Sequence, residues 1–346
     1  GPAGVAIERA VLAWLRGALA LPDGVDGADG FLTSGGSVGN LTALAIARQR
    51  ASGRDVWEEG LCGGEPLCIL TSEQTHYSVQ RAARLLGLGA GGVIAVETDG
   101  AYRLRADALP GALARARASG RRPIAVVASA ASTATGAYDP LEAVADFCAA
   151  EGLWLHVDGA HGGAAALSPR YRHLVAGLER ADSVVLDAHK MLLQPALLTL
   201  VLFRDGRDSY ATFAQRASYL FTEPGTQIAE TQEWWNPGLR TLECTKKMMI
   251  LKLFVSLSQY GTRLFSDYIT ATFDLARAFA DRLRAAGDFR LAVAPEANIV
   301  CFRYTPRADD RGPAAKACGD ALQEKIRQRL LAGGSFYLVK TRLPAG

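Results

Sequence analysis

Short apolar runs alternate with helix-patterned segments along most of this chain, and that alternation limits the folds open to it more than any other feature. Residues 67–71, 93–97, 124–129, 153–157, 183–187 and 198–203 are brief and rich in Val, Ile or Leu. A run that is apolar on both faces makes a buried strand, because helices covering each side leave it no face for water. Between these runs, residues 37–48, 77–86, 106–118 and 140–150 carry helical patterning. Gly87 stops the second of them, and Asp139 before Pro140 predicts an N-cap followed by proline at the first helical position. The pattern predicts an α/β fold with a mostly parallel central sheet and helices on both faces.

Beyond residue 240 the pattern changes. Residues 240–286 read as long helices, and two further strands, at 298–305 and 336–343, flank a helix at 314–331. This predicts a large α/β domain over 1–260 and a small α+β domain over 261–346, the second incomplete because the chain stops just after a strand.

Composition excludes several functions. With 38 basic and 35 acidic residues the net charge is only +3, too balanced for a nucleic-acid or membrane-surface footprint. The longest apolar stretch, 191–203, is broken by Gln194 and Pro195, so no membrane span is expected. The opening Gly1-Pro2-Ala3-Gly4 predicts no secretory leader. Six scattered cysteines without a CxxC pair predict neither a metal site nor a disulfide framework, and point to the cytoplasm. Only seven basic residues are lysines, and none precedes Lys190.

Five loops offer chemistry, four of them following a predicted strand. Thr33-Ser34-Gly35-Gly36-Ser37 opens a helix, and two glycines with the hydroxyls of Ser34 and Ser37 suit either a phosphate or a plain tight turn. Asp158 ends a buried run in His156-Val157-Asp158-Gly159-Ala160, where it needs a cation or strong donors, or caps its own loop. Lys190, after Asp187-Ala188-His189, is either an ion-pair partner or a reactive amine, and its apolar flanks argue against a solvated loop. His76 can stack on an aromatic ligand or simply start a helix. The small, hydroxyl-rich turn at 128–136, with Thr133, leaves room for a ligand or is a surface turn. A phosphate cradle, a stacking ring, a hydroxyl, a carboxylate and a lysine together match the needs of pyridoxal 5'-phosphate.

Residues 31–48 (FLTSGGSVGNLTALAIAR), 153–163 (LWLHVDGAHGG), 172–190 (RHLVAGLERADSVVLDAHK) and 298–304 (NIVCFRY) resemble the fold-type I, group II pyridoxal-phosphate-dependent amino acid decarboxylases. That family includes glutamate, cysteine sulfinate, 2,4-diaminobutyrate and aromatic amino acid decarboxylases. The resemblance implies the aspartate aminotransferase-like fold and loss of carbon dioxide from an L-amino acid to give its amine. It makes Lys190 the Schiff-base lysine and His76 a ring-stacking residue that assists the chemistry. Gly36 and Ser37 would hold the phosphate with His189 nearby. Thr133 would line the site, Asp158 would pair with the pyridine nitrogen and Ala160 would pack on the ring. It also implies a homodimer with the active site at the interface. Other outcomes of the same chemistry are aldehyde-forming oxidative deamination, carbon–carbon cleavage, or a non-catalytic scaffold.

The sequence departs from that pattern in three places. Family members often read GTT where this chain has Ala131-Ser132-Thr133. Asp187 stands where many relatives have Asn. Decarboxylating relatives carry a tyrosine in a catalytic loop, whereas no tyrosine lies between Tyr219 and Tyr260 here.

Overall fold

The computed structural model describes residues 1–21, 30–214, 236–305 and 313–343. Seven strands form the central sheet: β1 (Gly30–Thr33), β2 (Leu67–Ser72), β3 (Val93–Val96), β4 (Arg122–Ser129), β5 (Trp154–Asp158), β6 (Ser183–Asp187) and β7 (Thr199–Phe203). A separate ribbon pairs β8 (Phe289–Leu291) with β9 (Phe302–Tyr304). The helices are α1 (Pro2–Ala18), α2 (Gly36–Ala51), α3 (Val56–Glu59), α4 (Tyr77–Leu85), α5 (Leu109–Ala118), α6 (Leu141–Glu151), α7 (Arg207–Phe213), α8 (Ile250–Tyr260), α9 (Arg263–Ala286) and α10 (Pro313–Ala332).

The sheet order is β1-β7-β6-β5-β4-β2-β3. Pairings from β3 through β2, β4 and β5 to β6 are parallel, and β7 runs antiparallel to both β6 and β1. The mostly parallel sheet expected from the alternation is present, with β7 its one reversed member. The physical reason is length: a parallel return needs a crossover of a dozen or more residues, usually helical, and residues 188–198 are too few.

Why these runs are apolar on both faces is visible in the side chains. On β6, Val184 and Leu186 join the core under α1, α5, α6 and α9, while Val185 joins the opposite core under α2 and α4. β5 and β7 divide the same way, with Leu155, Leu200 and Leu202 on one side and Trp154, Val201 and Phe203 on the other. α2 lies especially close to the sheet because Gly39 has no side chain. A Cβ there would sit 3.1 Å from a Val185 methyl and 3.3 Å from a Thr199 methyl.

Several sequence expectations are corrected. Asp139 does not cap α6, whose N-cap is Pro140 without a side-chain bond. Its buried carboxylate instead accepts the backbone N–H groups of Leu104 and Ser129, both at 2.7 Å. Two main-chain donors that would otherwise be buried unpaired outbid the cap. A short 3-10 turn at Pro237–Leu239 is followed by irregular chain over 240–249 rather than helix, with regular helix beginning at Ile250. The strand expected at 298–305 shortens to Phe302–Tyr304. No strand forms at 336–343, where Phe336, Tyr337 and Val339 are exposed without a pairing partner among the described residues. Apolar residues alone do not make a strand where no sheet edge receives them.

Replacing Asp139 with Ala would leave two buried N–H groups unpaired. At about 1–3 kcal/mol for each, Asp139→Ala should lower unfolding stability by several kcal/mol in chemical denaturation.

Candidate active site

The strand register brings the predicted loops together. Thr33 lies opposite Thr199, which lies opposite Asp187, and Ser129 lies opposite Asp158. The ends of β1, β4, β5 and β6 therefore share one edge of the sheet, where α/β proteins bind their ligands. There a cavity of about 340 Å³ is lined by Gly36, Ser37, His76, Thr133, Asp158, Ala160, His189 and Lys190. All eight residues singled out from the sequence line this one cavity. A larger cavity, about 430 Å³, lies between α9 and residues 293–296, and none of the eight residues lines it. Its Arg103 and Arg284 are already paired with Glu296 and Asp281.

One wall is the start of α2. Gly35 takes φ +112°, a conformation that favours glycine, and the helix has no side-chain cap, leaving its first N–H groups without an intrahelical partner. A Cβ on Gly36 would come within 3.0 Å of Asp187 Oδ2. Ser34, read as a second hydroxyl donor, is committed elsewhere, donating to Glu243 Oε1 at 2.8 Å.

The opposite wall carries Asp158, which is buried. Its Oδ1 accepts the Ala160 N–H at 3.2 Å and its Oδ2 accepts Asn40 Nδ2 at 2.8 Å. Asp158 thus does cap its own loop, but with one oxygen only. Asn40 extends the contact in two more directions, donating to Ser78 Oγ at 2.9 Å and lying 3.0 Å by its Oδ1 from His156 Nε2. His156 Nδ1 meets Ser183 Oγ at 2.9 Å, and Ser183 in turn accepts Trp154 Nε1 at 2.8 Å. His76 caps α4 through its ring, with Nδ1 accepting the Ser78 N–H at 3.3 Å and lying 2.7 Å from Ser78 Oγ. The sequence reading missed Asn40, Ser78, His156 and Ser183. The signal was there for two of them: Asn40 and His156 are polar residues inside otherwise apolar buried segments, and such residues need dedicated partners.

The third wall is the turn after β6. Lys190 Nζ lies 3.0 Å from Asp187 Oδ2, His189 Nε2 lies 3.6 Å from the same oxygen, and Thr199 Oγ1 donates to Oδ1 at 2.5 Å. The Lys190 side chain is 37% exposed, more open than its apolar flanks predicted, because Met191 and Leu192 turn into the core and leave the amine at the cavity mouth. Thr133 is likewise exposed on its turn. His161 lines the cavity too and meets Asn298 Oδ1 at 2.7 Å, tying residues before β9 to the site. Tyr219, the last tyrosine before the stretch that lacks one, lies outside the described residues.

Electrostatics favour neutral rings. Burial lowers the pKa of His76, against the opposing pull of Asp158. Burial does the same to His161 and, most strongly, to His156, which is pushed down to about 4.

The sheet, its order and the cavity at its edge are those of fold-type I proteins that use pyridoxal phosphate. Residues 1–305 match the family described as the pyridoxal-dependent decarboxylase conserved domain, and the chain belongs to that family. It is 32% identical over 341 residues to human acidic amino acid decarboxylase GADL1, covering 97% of this chain and 64% of that protein. It is 36% identical over 344 residues to L-2,4-diaminobutyrate decarboxylase of Rhizobium meliloti, covering 99% of this chain and 64% of that one. The chain thus spans less than two thirds of the length of these curated relatives. The crystal structure of mouse CSAD superposes with a TM-score of 0.88 at 30% identity, covering 97% of this chain and 69% of the other.

The cofactor of this family is pyridoxal phosphate, and the donor set fits it group by group. The start of α2 offers unpaired N–H groups beside a glycine whose Cβ would crowd the space. Asp158 offers a buried carboxylate, Lys190 an accessible primary amine, and His76 and Ala160 a ring and a small flat contact.

Two outcomes follow. Gly36→Ala should weaken affinity for pyridoxal phosphate by tenfold or more, a loss of about 1.4 kcal/mol or greater, measured by cofactor titration. Because burial depresses its pKa, His156 stabilises the fold as a neutral ring above pH 6.5 and loses that contribution as pH falls through about 4. His156→Gln should therefore flatten the fall in unfolding stability between pH 7 and pH 4.5 relative to the parent protein.

Proposed function

We propose that this protein is a pyridoxal-phosphate-dependent carboxy-lyase that removes the α-carboxylate of an L-amino acid as carbon dioxide, leaving the amine. The observation that carries this reading is the meeting of Lys190, Asp158, His76 and the start of α2 in one cavity at the ends of the parallel strands. Bound pyridoxal phosphate supplies a conjugated ring that accepts the electron pair left on Cα when the carboxylate departs.

The rest is the work of the chain's own residues. Gly36 and Ser37 bind the phosphate through the helix N-terminus, where the dipole favours an anion. Lys190 would hold the cofactor's aldehyde through Nζ, the primary amine that the chain places at the cavity mouth. Asp158 keeps a proton on the pyridine nitrogen, and the two N–H donors on its oxygens keep the carboxylate oriented for it. His76 and Ala160, which line the same cavity, would pack on the ring and restrain it. His189 and Thr133 close the phosphate and substrate ends. Asp187, whose charge would repel a phosphate, lies 3.0 Å from Lys190 Nζ and accepts a hydrogen bond from the Thr199 hydroxyl.

The substrate is an L-amino acid, and the likeness to acidic amino acid and L-2,4-diaminobutyrate decarboxylases supports one with an acidic or charged side chain. A homodimer with the cavity at its interface is part of the same reading. Exposed Leu251, Phe254 and Val255 on α8 support it by offering an apolar face. Cytoplasmic placement is supported by the five described cysteines being free thiols, Cys62 and Cys244 exposed.

The test is product analysis on the full-length protein across the common L-amino acids. One substrate should yield amine and carbon dioxide in equal amounts without ammonia or hydrogen peroxide. Lys190→Ala should lower kcat by at least about 10³-fold and abolish the visible absorbance of bound cofactor. Ammonia or peroxide in step with turnover would establish oxidative deamination instead. An unloaded, inactive protein would establish a scaffold.

A further inference from the structure

We propose that Asn40 is a positioning residue that joins Asp158 and His76 into one hydrogen-bonded unit and sets the direction in which its protons point. Asn40 is buried on α2, and three of its hydrogen-bonding capacities are used on different elements. Its amide nitrogen gives one hydrogen to Asp158 Oδ2 at the end of β5 and one to Ser78 Oγ on α4. Its oxygen takes the third contact, from His156 Nε2. An ionised carboxylate cannot donate, so the nitrogen must face Asp158, and this choice settles the rest.

With both amide hydrogens spent, Asn40 Oδ1 is an acceptor and His156 must carry its proton on Nε2. Its Nδ1 is then bare and receives the Ser183 hydroxyl, which is itself free to donate because Trp154 Nε1–H occupies its oxygen. On the other branch, Ser78 Oγ accepts from Asn40, so its own hydrogen goes to His76 Nδ1. That nitrogen also accepts the Ser78 backbone N–H. Two donors converge on it, and a proton on Nδ1 would face both. His76 is thus held neutral, with Nε2–H as its remaining donor. Burial acts on His76 and His156 in the same direction. Asp158, Lys190 and Asp187 also act on His76 electrostatically, as does Arg81 of its own helix, and the Tyr77 ring packs on it at 4.2 Å.

The consequence is that the carboxylate on one side of the cavity and the ring on another are not independent. A proton forced onto His76 Nδ1 would turn the Ser78 hydroxyl back against the Asn40 amide and so disturb the donor held by Asp158. The meaning of this for bound pyridoxal phosphate rests on the function proposed above. The unit itself is testable whether or not that function holds.

The experiment is a titration of the imidazole nitrogens by NMR in full-length protein labelled at histidine, without and with pyridoxal phosphate. This sequence holds only five histidines. In the parent protein, His76 and His156 should both show a bare Nδ1 and a protonated Nε2. Asn40→Asp keeps the shape but replaces two donors with acceptors. It should place a proton on His76 Nδ1 and raise the titration midpoints of both His76 and His156 by roughly one pH unit or more. Ser78→Ala cuts only one branch and should raise His76 while leaving His156 in place, which keeps the test open if the core substitution does not fold. A protonated His76 Nδ1 in the parent protein would overturn the proposal. So would an Asn40→Asp protein with His76 unchanged, or a Ser78→Ala protein in which His156 moves as far as His76.

Discussion

Everything at this site depends on a carboxylate kept inside the protein. Asp158 sits at the end of a central strand and is buried, where an unpaired charge would cost several kcal/mol. The fold answers with two N–H donors, one from the loop that follows and one from α2. Both orient the carboxylate, and low-dielectric surroundings strengthen its attraction for a positively charged group placed beside it.

Holding Asp158 in this way requires α2 to lie almost on the sheet. Gly39 allows that approach, one residue before Asn40 and three after Gly36. The same helix therefore delivers a donor to the carboxylate, a free N-terminus for an anion, and a packing face for the core under Val185 and Val201. A single element positions both ends of the proposed cofactor site, so its distance from the sheet sets the spacing between them.

Much of this was legible in the sequence because it is local. Short runs that are apolar on both faces mark the strands, and the strand ends mark Asp158 and Lys190. Hidden features were those decided by partners distant in the chain. Asn40 and His156 are 116 residues apart, and nothing in either segment alone says that they meet. Asp139 looked like a cap because its neighbour is a proline, yet two unpaired backbone donors from other segments claimed it. β7 reversed because its connection is short, a matter of geometry that composition does not reveal. Residues 336–343 have the composition of a strand but no edge to join.

The central claim is that Lys190, alone among seven lysines, carries the cofactor in this cavity. Borohydride reduction of the loaded full-length protein, followed by peptide mass mapping, tests it directly. The account predicts a phosphopyridoxyl group on Lys190 and on no other lysine. The same group on Lys246 or another lysine, or on none, would contradict it.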